Sequence, residues 1–226
     1  MGTSIDYRYG LQSTVAPFLA DRIRQQLQDG KQVLWLLSGG SGIQVCVTAS
    51  KLLKDENLTN LYVTISDERY GPVGHTNENI QQLLDAGLSL PGAVIYRPLT
   101  GASIADTTQQ YDGWLTDTLA NADYTIALLG IGEDGHTSGI KPHSPAVQSG
   151  DLVCHFDGED YQRITTTVSF FSHIDEVVVQ AYGETKRPVV SELLHTSNHS
   201  LEDFPATLIQ NIPKVTLFTD FKKEEI

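Results

Sequence analysis

Short apolar runs alternate along the chain with longer stretches whose apolar residues recur at helical spacing, the signature of an α/β protein with a largely parallel sheet. Residues 33–37, 61–65, 93–96, 124–129, 177–181 and 215–218 read as strands covered on both faces. Leu11, Val15, Phe18, Leu19, Ile23 and Leu27 trace one helical face, with Pro17 placing the start of the regular helix near that residue. Further helices are predicted over 43–53, 77–84, 104–119 and 187–194, with a shorter one over 204–209. The stretch 141–174 breaks the alternation, and within it 163–168 reads as an extra strand. No linker, repeat or low-complexity segment interrupts the pattern. Residues 1–226 therefore read as one domain, built on an open, mostly parallel, doubly wound sheet with flanking helices.

Composition narrows the partners. Among 226 residues, 28 Asp and Glu face 15 Lys and Arg, and the net charge of −13 argues against a general binder of nucleic acid or anionic membrane. No stretch approaches the roughly 20 apolar residues that span a bilayer, and the first eight residues hold no apolar signal core. The expectation is a cytoplasmic monomer or small homo-oligomer. Cys46 and Cys154 read as reduced, mostly buried thiols, which excludes a disulfide framework or a cysteine-rich metal site. His75, His136 and His143 lack zinc-ligand spacing, so no metal site is expected.

Open parallel sheets bind ligands beyond the carboxyl ends of their strands, and three strand ends here are chemically loaded. After the run ending at Leu37 comes Ser38-Gly39-Gly40-Ser41-Gly42, followed by a helix. Its amides suit a phosphate or sugar hydroxyl, although a tight turn alone also needs small residues. It matches neither a dinucleotide fingerprint nor a P-loop. Ser66-Asp67-Glu68-Arg69 follows the next run; Arg69 could hold a phosphate and Asp67 orient a hydroxyl, or the two could form a local ion pair. The densest cluster is Gly130-Ile131-Gly132-Glu133-Asp134-Gly135-His136-Thr137-Ser138. His136 suits a general base near neutral pH, with Asp134 setting its tautomer, against the plain alternative of a solvated histidine. Arg163 and Lys186 supply further cations.

Together, and in order, these residues resemble the 6-phosphogluconolactonase and glucosamine-6-phosphate isomerase superfamily. The resemblance rests on the Ser38–Ser41 turn, Asp67-Glu68-Arg69 with Pro72, His75 and Asn79, and Gly130-x-Gly132-x-Asp134-Gly135-His136-Thr137. It continues through Arg163-Ile164-Thr165, Gly183-Glu184-x-Lys186 and Phe204-Pro205-Ala206. It implies a modified Rossmann-like fold and, on the lactonase side, hydrolysis of 6-phosphogluconolactone to 6-phosphogluconate in the pentose phosphate pathway, with no metal or organic cofactor. His136 would activate water, steadied by Asp134. Arg69, Lys186 and Arg163 would hold the phosphate or the developing carboxylate, and Ser38, Gly39, Gly40 and Ser41 would line the sugar-phosphate pocket. The isomerases carry a catalytic glutamate where this chain has Lys141.

The chain also departs from the lactonase pattern. Gly42-Ile43 replaces Thr-Pro, Glu78-Asn79 replaces Ser-Asn, and Ser138-Gly139-Ile140-Lys141-Pro142 replaces Ala-Ser-Leu-Phe-Pro; Lys186-Arg187, then Pro188, replaces Lys-Ala. Three readings follow: a divergent lactonase in which Lys141 or Arg187 supplements phosphate binding, a hydrolase or isomerase of another phosphorylated sugar such as glucosamine 6-phosphate, or a non-catalytic sugar-phosphate-binding module.

Overall fold

The computed structural model describes residues 4–195 and 199–226. In chain order its elements are β1 (Ile5–Tyr9), α1 (Val15–Gln28), β2 (Val33–Leu37), α2 (Ile43–Leu52), β3 (Leu61–Ile65), β4 (Asp67–Arg69), α3 (Asn79–Asp85), β5 (Val94–Ile95) and α4 (Ile104–Leu119). There follow β6 (Tyr124–Gly130), β7 (Val153–Asp157), β8 (Gln162–Thr166), α5 (Val168–Phe171), β9 (Glu176–Ala181), α6 (Arg187–His195) and β10 (Lys214–Thr219).

Seven strands form one sheet in the order β1-β10-β9-β6-β2-β3-β5, every neighbouring pair parallel. The period-2 alternation of side chains divides the core. Leu34 and Leu36 of β2, with Ala127 and Leu129 of β6 and Val177 and Val179 of β9, face α4, α6 and the 3-10 turn Pro205–Asn211. Val33, Trp35 and Leu37, with Ile126, Leu128 and Val178, face α1, α2 and α3. Burying each large aliphatic side chain contributes about 1.5–3 kcal/mol, and β2, buried along its whole length, accordingly reads VLWLL with no polar residue.

Three strands form a second, antiparallel sheet in the order β4-β8-β7. The sequence pattern predicts the β8 strand, over 163–168, but reads Asp67–Arg69 as a loop. Such short, polar strands acquire their character from their partners rather than from apolar alternation. β1 also escapes the pattern, because an edge strand with Asp6, Arg8 and Tyr9 exposed gives little apolar signal. α1 begins at Val15 rather than near Pro17. Pro17 sits in the first turn, where its missing N–H has no intrahelical role, while Leu11 is exposed and outside the helix. The helix expected over 77–84 spans Asn79–Asp85, the strand over 93–96 shrinks to Val94–Ile95, and the helix over 204–209 is the 3-10 turn. Cys46 is buried, Cys154 is half-buried, and both are free thiols. Burial pushes them up to about 12 and about 11 respectively.

Candidate active site

β2 and β6 lie side by side, but the chain leaves them in opposite directions: β3 lies beyond β2 and β9 beyond β6. Such a switch point opens a crevice at the carboxyl edge between the two following loops. The small sheet closes one side of it. A single residue, Ser66, separates β3 from β4; its N–H donates to the Leu37 carbonyl (3.0 Å), and its carbonyl accepts from the Thr166 N–H (3.0 Å) and hydroxyl (3.1 Å). The result is a cleft of about 510 Å³. It is lined by Ser38, Gly39, Gly40 and Ser41 from the β2 turn, Asp67 and Arg69 from β4, Asp134 and His136 from the β6 loop, Arg163 from β8 and Lys186 from the turn before α6, the residues expected to form the site.

The β6 loop fixes the histidine. His136 Nδ1 lies 2.5 Å from Asp134 Oδ1, and the His136 N–H donates to the same oxygen (3.1 Å). The Gly132 N–H donates to the His136 carbonyl (2.8 Å), and the Thr137 hydroxyl to the Gly130 carbonyl (2.9 Å), closing the loop on itself. Burial raises the Asp134 carboxyl, but His136, through charge and hydrogen bonds, and the charge of Lys141 outweigh it and hold the group below its ordinary value. Two glycines are indispensable here. A Cβ on Gly132 would fall 2.1 Å from His136 Nδ1, and Gly135 has φ +80° with the Phe204 ring where its Cβ would point. The Ala206 N–H donates to the Gly135 carbonyl (2.8 Å), so the Phe204-Pro205-Ala206 segment braces the loop from behind.

On the opposite wall, Arg69 of β4 pairs with Arg163 of β8. The ion pair considered between Asp67 and Arg69 does not form. Asp67 instead lies 3.7 Å from Arg163 Nη1, and Arg163 Nη2 also holds Asp160 (2.9 Å). Burial pushes the Asp67 carboxyl up, against the pull of Arg163, His136 and Arg69. Arg69 makes no ion pair among the described residues; its guanidinium lies 5.4 Å from the Tyr161 ring centroid. Glu68, fully buried behind them, accepts from the N–H groups of Arg69 (2.8 Å), Asn79 (2.6 Å) and Ile80 (3.0 Å), and so locks β4 to the start of α3. The departure at Glu78 is structural: it is buried, with Arg97 bidentate on it (2.5 and 2.7 Å).

Four buried polar atoms in this cleft have no hydrogen-bond partner among the described residues: Arg69 Nε, Arg163 Nε, Asn79 Oδ1 and Ser138 Oγ. Buried polar groups are ordinarily satisfied, so four unpartnered atoms on residues of one cleft make it the candidate site for a polar ligand. Asn79, Ser138 and Lys141 also line the cleft. Asn79 entered through its family spacing, Ser138 as the end of the dense cluster, and Lys141 as one of two cations offered to supplement phosphate binding. Arg187, considered as a second phosphate ligand, is outside the cleft and pairs with Glu184 (2.9 Å) and Glu225 (3.8 Å). Among the described residues no group of three or more His, Cys, Asp or Glu side chains could hold a metal ion, and no helix is long and apolar enough to cross a membrane.

Known proteins share this fold. A 6-phosphogluconolactonase of Synechocystis is 29% identical over 161 residues, 66% of each chain, just short of two thirds of its length. One of Neisseria meningitidis is 25% identical over 220 residues, 91% of this chain and 93% of the relative. The crystal structure of a 6-phosphogluconolactonase from Shewanella baltica superposes with a TM-score of 0.78 at 22% identity, covering 96% of this chain and 97% of that one. The family model for glucosamine-6-phosphate isomerases/6-phosphogluconolactonase matches residues 8–218, and the chain belongs to that family.

Proposed function

We propose that this protein hydrolyses 6-phosphogluconolactone to 6-phosphogluconate with water activated by His136, and that it uses neither a metal nor an organic cofactor. The observation that carries the reading is the 2.5 Å contact between His136 Nδ1 and Asp134 Oδ1, set across one cleft from the Arg69 and Arg163 pair. With its proton on Nδ1 and donated to Asp134, the imidazole leaves Nε2 free to take a proton from water. The ionised Asp134 then stabilises the imidazolium. The water oxygen bonds to the lactone carbonyl carbon, and charge builds on the carbonyl oxygen, which main-chain amides of the glycine-rich loops can stabilise. The ring C–O bond breaks, and its oxygen leaves with the proton that His136 returns. Arg69, Arg163 and Lys186 hold the phosphate, while Ser38, Gly39, Gly40, Ser41 and Asp67 line the sugar. The isomerase alternative loses ground at Lys141, which stands where the resembled isomerases carry the glutamate used for ring opening.

The test is the rate of lactone opening by wild type, by His136→Ala and without enzyme, since such lactones also open spontaneously. Acceleration by wild type that drops roughly 100- to 10,000-fold in the variant, with little change in KM and no loss on dialysis against EDTA, supports the reading. Wild type that matches the no-enzyme rate sinks it.

A further inference from the structure

The reaction as drawn leaves Asn79, Glu133, Ser138 and Lys141 of the cleft without a role, and of these Ser138 and Lys141 are the donors on the base loop. Ser138 Oγ is buried with no hydrogen-bond partner among the described residues. Its backbone sits at φ +53°, in the left-handed region that a residue with a Cβ occupies at a cost. Lys141 lines the same cleft, and no carboxylate among the described residues lies within ion-pair distance of it. Its charge nonetheless reaches Asp134. The two groups occupy positions where the resembled lactonases commonly carry Ala and Phe, so the shared fold and the shared base do not require them. Both belong to the loop that carries His136, two and five residues further along the chain.

Lactone opening creates a new charge on this side of the cleft. When water adds to the carbonyl carbon and the ring C–O bond breaks, the ring oxygen takes the proton relayed by His136. The resulting carboxylic acid then gives its own proton to solvent at neutral pH. The carboxylate therefore forms at the carbon nearest His136. The phosphate stays at the far end of the six-carbon chain, against the arginines of β4 and β8. A monoanion appearing beside the base loop meets one ammonium and one hydroxyl that have no other partner.

Building on the lactonase reading, we propose that Lys141 and Ser138 form a carboxylate subsite in which the Lys141 ammonium and the Ser138 hydroxyl donate to the carboxylate of the ring-opened product. The enzyme then grips its product by both ends. Product release becomes sensitive to Lys141, in contrast to a site with an apolar Phe at this position.

The test is calorimetric binding of 6-phosphogluconate and of glucitol 6-phosphate, the same phosphorylated chain with an alcohol in place of the carboxylate, to wild type, Lys141→Met, Lys141→Arg and Ser138→Ala. Loss of a charge-assisted contact predicts that Lys141→Met weakens 6-phosphogluconate about tenfold or more while changing glucitol 6-phosphate less than about twofold. Ser138→Ala gives a smaller loss with the same ligand selectivity, and Lys141→Arg keeps most of the preference for the carboxylate. Equal weakening of both ligands by Lys141→Met assigns Lys141 to the phosphate and overturns the subsite. Unchanged binding of both also overturns it, with the lactonase reading intact. Wild type that binds neither ligand overturns the subsite together with the sugar-phosphate reading beneath it.

Discussion

Arg69 and Arg163 stand opposite each other across the β4–β8 ladder, each with a buried Nε that has no hydrogen-bond partner among the described residues. Like charges placed directly across a sheet repel; Asp160 (2.9 Å) and Asp67 (3.7 Å) both pair with Arg163, whereas Arg69 has no ion-pair partner among the described residues. A phosphate dianion between the two planar forks would relieve the conflict and give Arg69 the partner it lacks. Arg69→Ala and Arg163→Ala are each expected to raise KM about tenfold or more, with kcat within a few-fold of wild type. Steady-state kinetics on both variants checks this; unchanged KM in both would move phosphate binding to Lys186.

In the proposed mechanism, Asp134 is the group that sets the His136 tautomer. Its carboxyl is held below the ordinary value by His136 and Lys141, so it is ionised at neutral pH. Asp134→Asn keeps the shape but removes the negative charge and can donate to Nδ1, turning the wrong nitrogen toward water. Turnover should fall roughly 100- to 10,000-fold, as for other oriented histidine bases. Steady-state kinetics on the variant, beside its thermal unfolding, decides it. A variant that melts like wild type and keeps near-normal turnover would mean that Asp134 serves only the loop.

What the sequence made visible follows from physical range. Doubly covered strands such as β2 and β6 are nearly pure apolar runs, and the loops after them carry the glycines that close approach demands, so the parallel sheet and the loaded loops at its carboxyl edge could be read directly. The small sheet could not, because Asp67–Arg69 becomes a strand only through partners about a hundred residues away. The same distance hid the pairing of Arg69 with Arg163 and made a local Asp67–Arg69 bridge look natural. Arg187 looked like a ligand because it adjoins Lys186, yet one step into the helix turns it toward Glu184 and Glu225. Asn79 gives no periodic signal of its own; its role comes from Gly39, whose missing Cβ leaves space for the Asn79 amide.

Gly132 and Gly135 separate two kinds of glycine requirement. At Gly132 an added Cβ meets only side chains, His136 Nδ1 at 2.1 Å and Asp134 Oδ1 at 2.5 Å. Gly132→Ala should therefore leave the fold standing but displace the base. Misplacement of about 1 Å commonly costs on the order of 100-fold. Gly135→Ala adds a positive φ of +80° and a clash with the Phe204 ring at 2.4 Å, so it should lower both activity and stability. Turnover measured beside thermal unfolding tests the contrast. If Gly132→Ala melts as early as Gly135→Ala, the distinction fails.

Glu68 makes the last prediction, because it connects stability to the site without touching the cleft. Its two carboxylate oxygens face the amides of Arg69, Asn79 and Ile80 and are fully buried. Glu68→Ala strands three buried donors, each worth about 1–3 kcal/mol when left unmatched; with partial relaxation the loss should be about 3 kcal/mol. Glu68→Gln is not a gentle substitute, since an amide NH₂ must then point at one of those N–H donors, and it should lose a substantial part of the same amount. The amides belong to Arg69 on one side and to the start of α3 on the other, so both variants should also raise KM by loosening Arg69 and Asn79 together. Denaturant unfolding with a constant m-value, beside KM on the folded fraction, checks both consequences. A destabilised Glu68→Ala protein with wild-type KM would show that β4 holds Arg69 in place without α3.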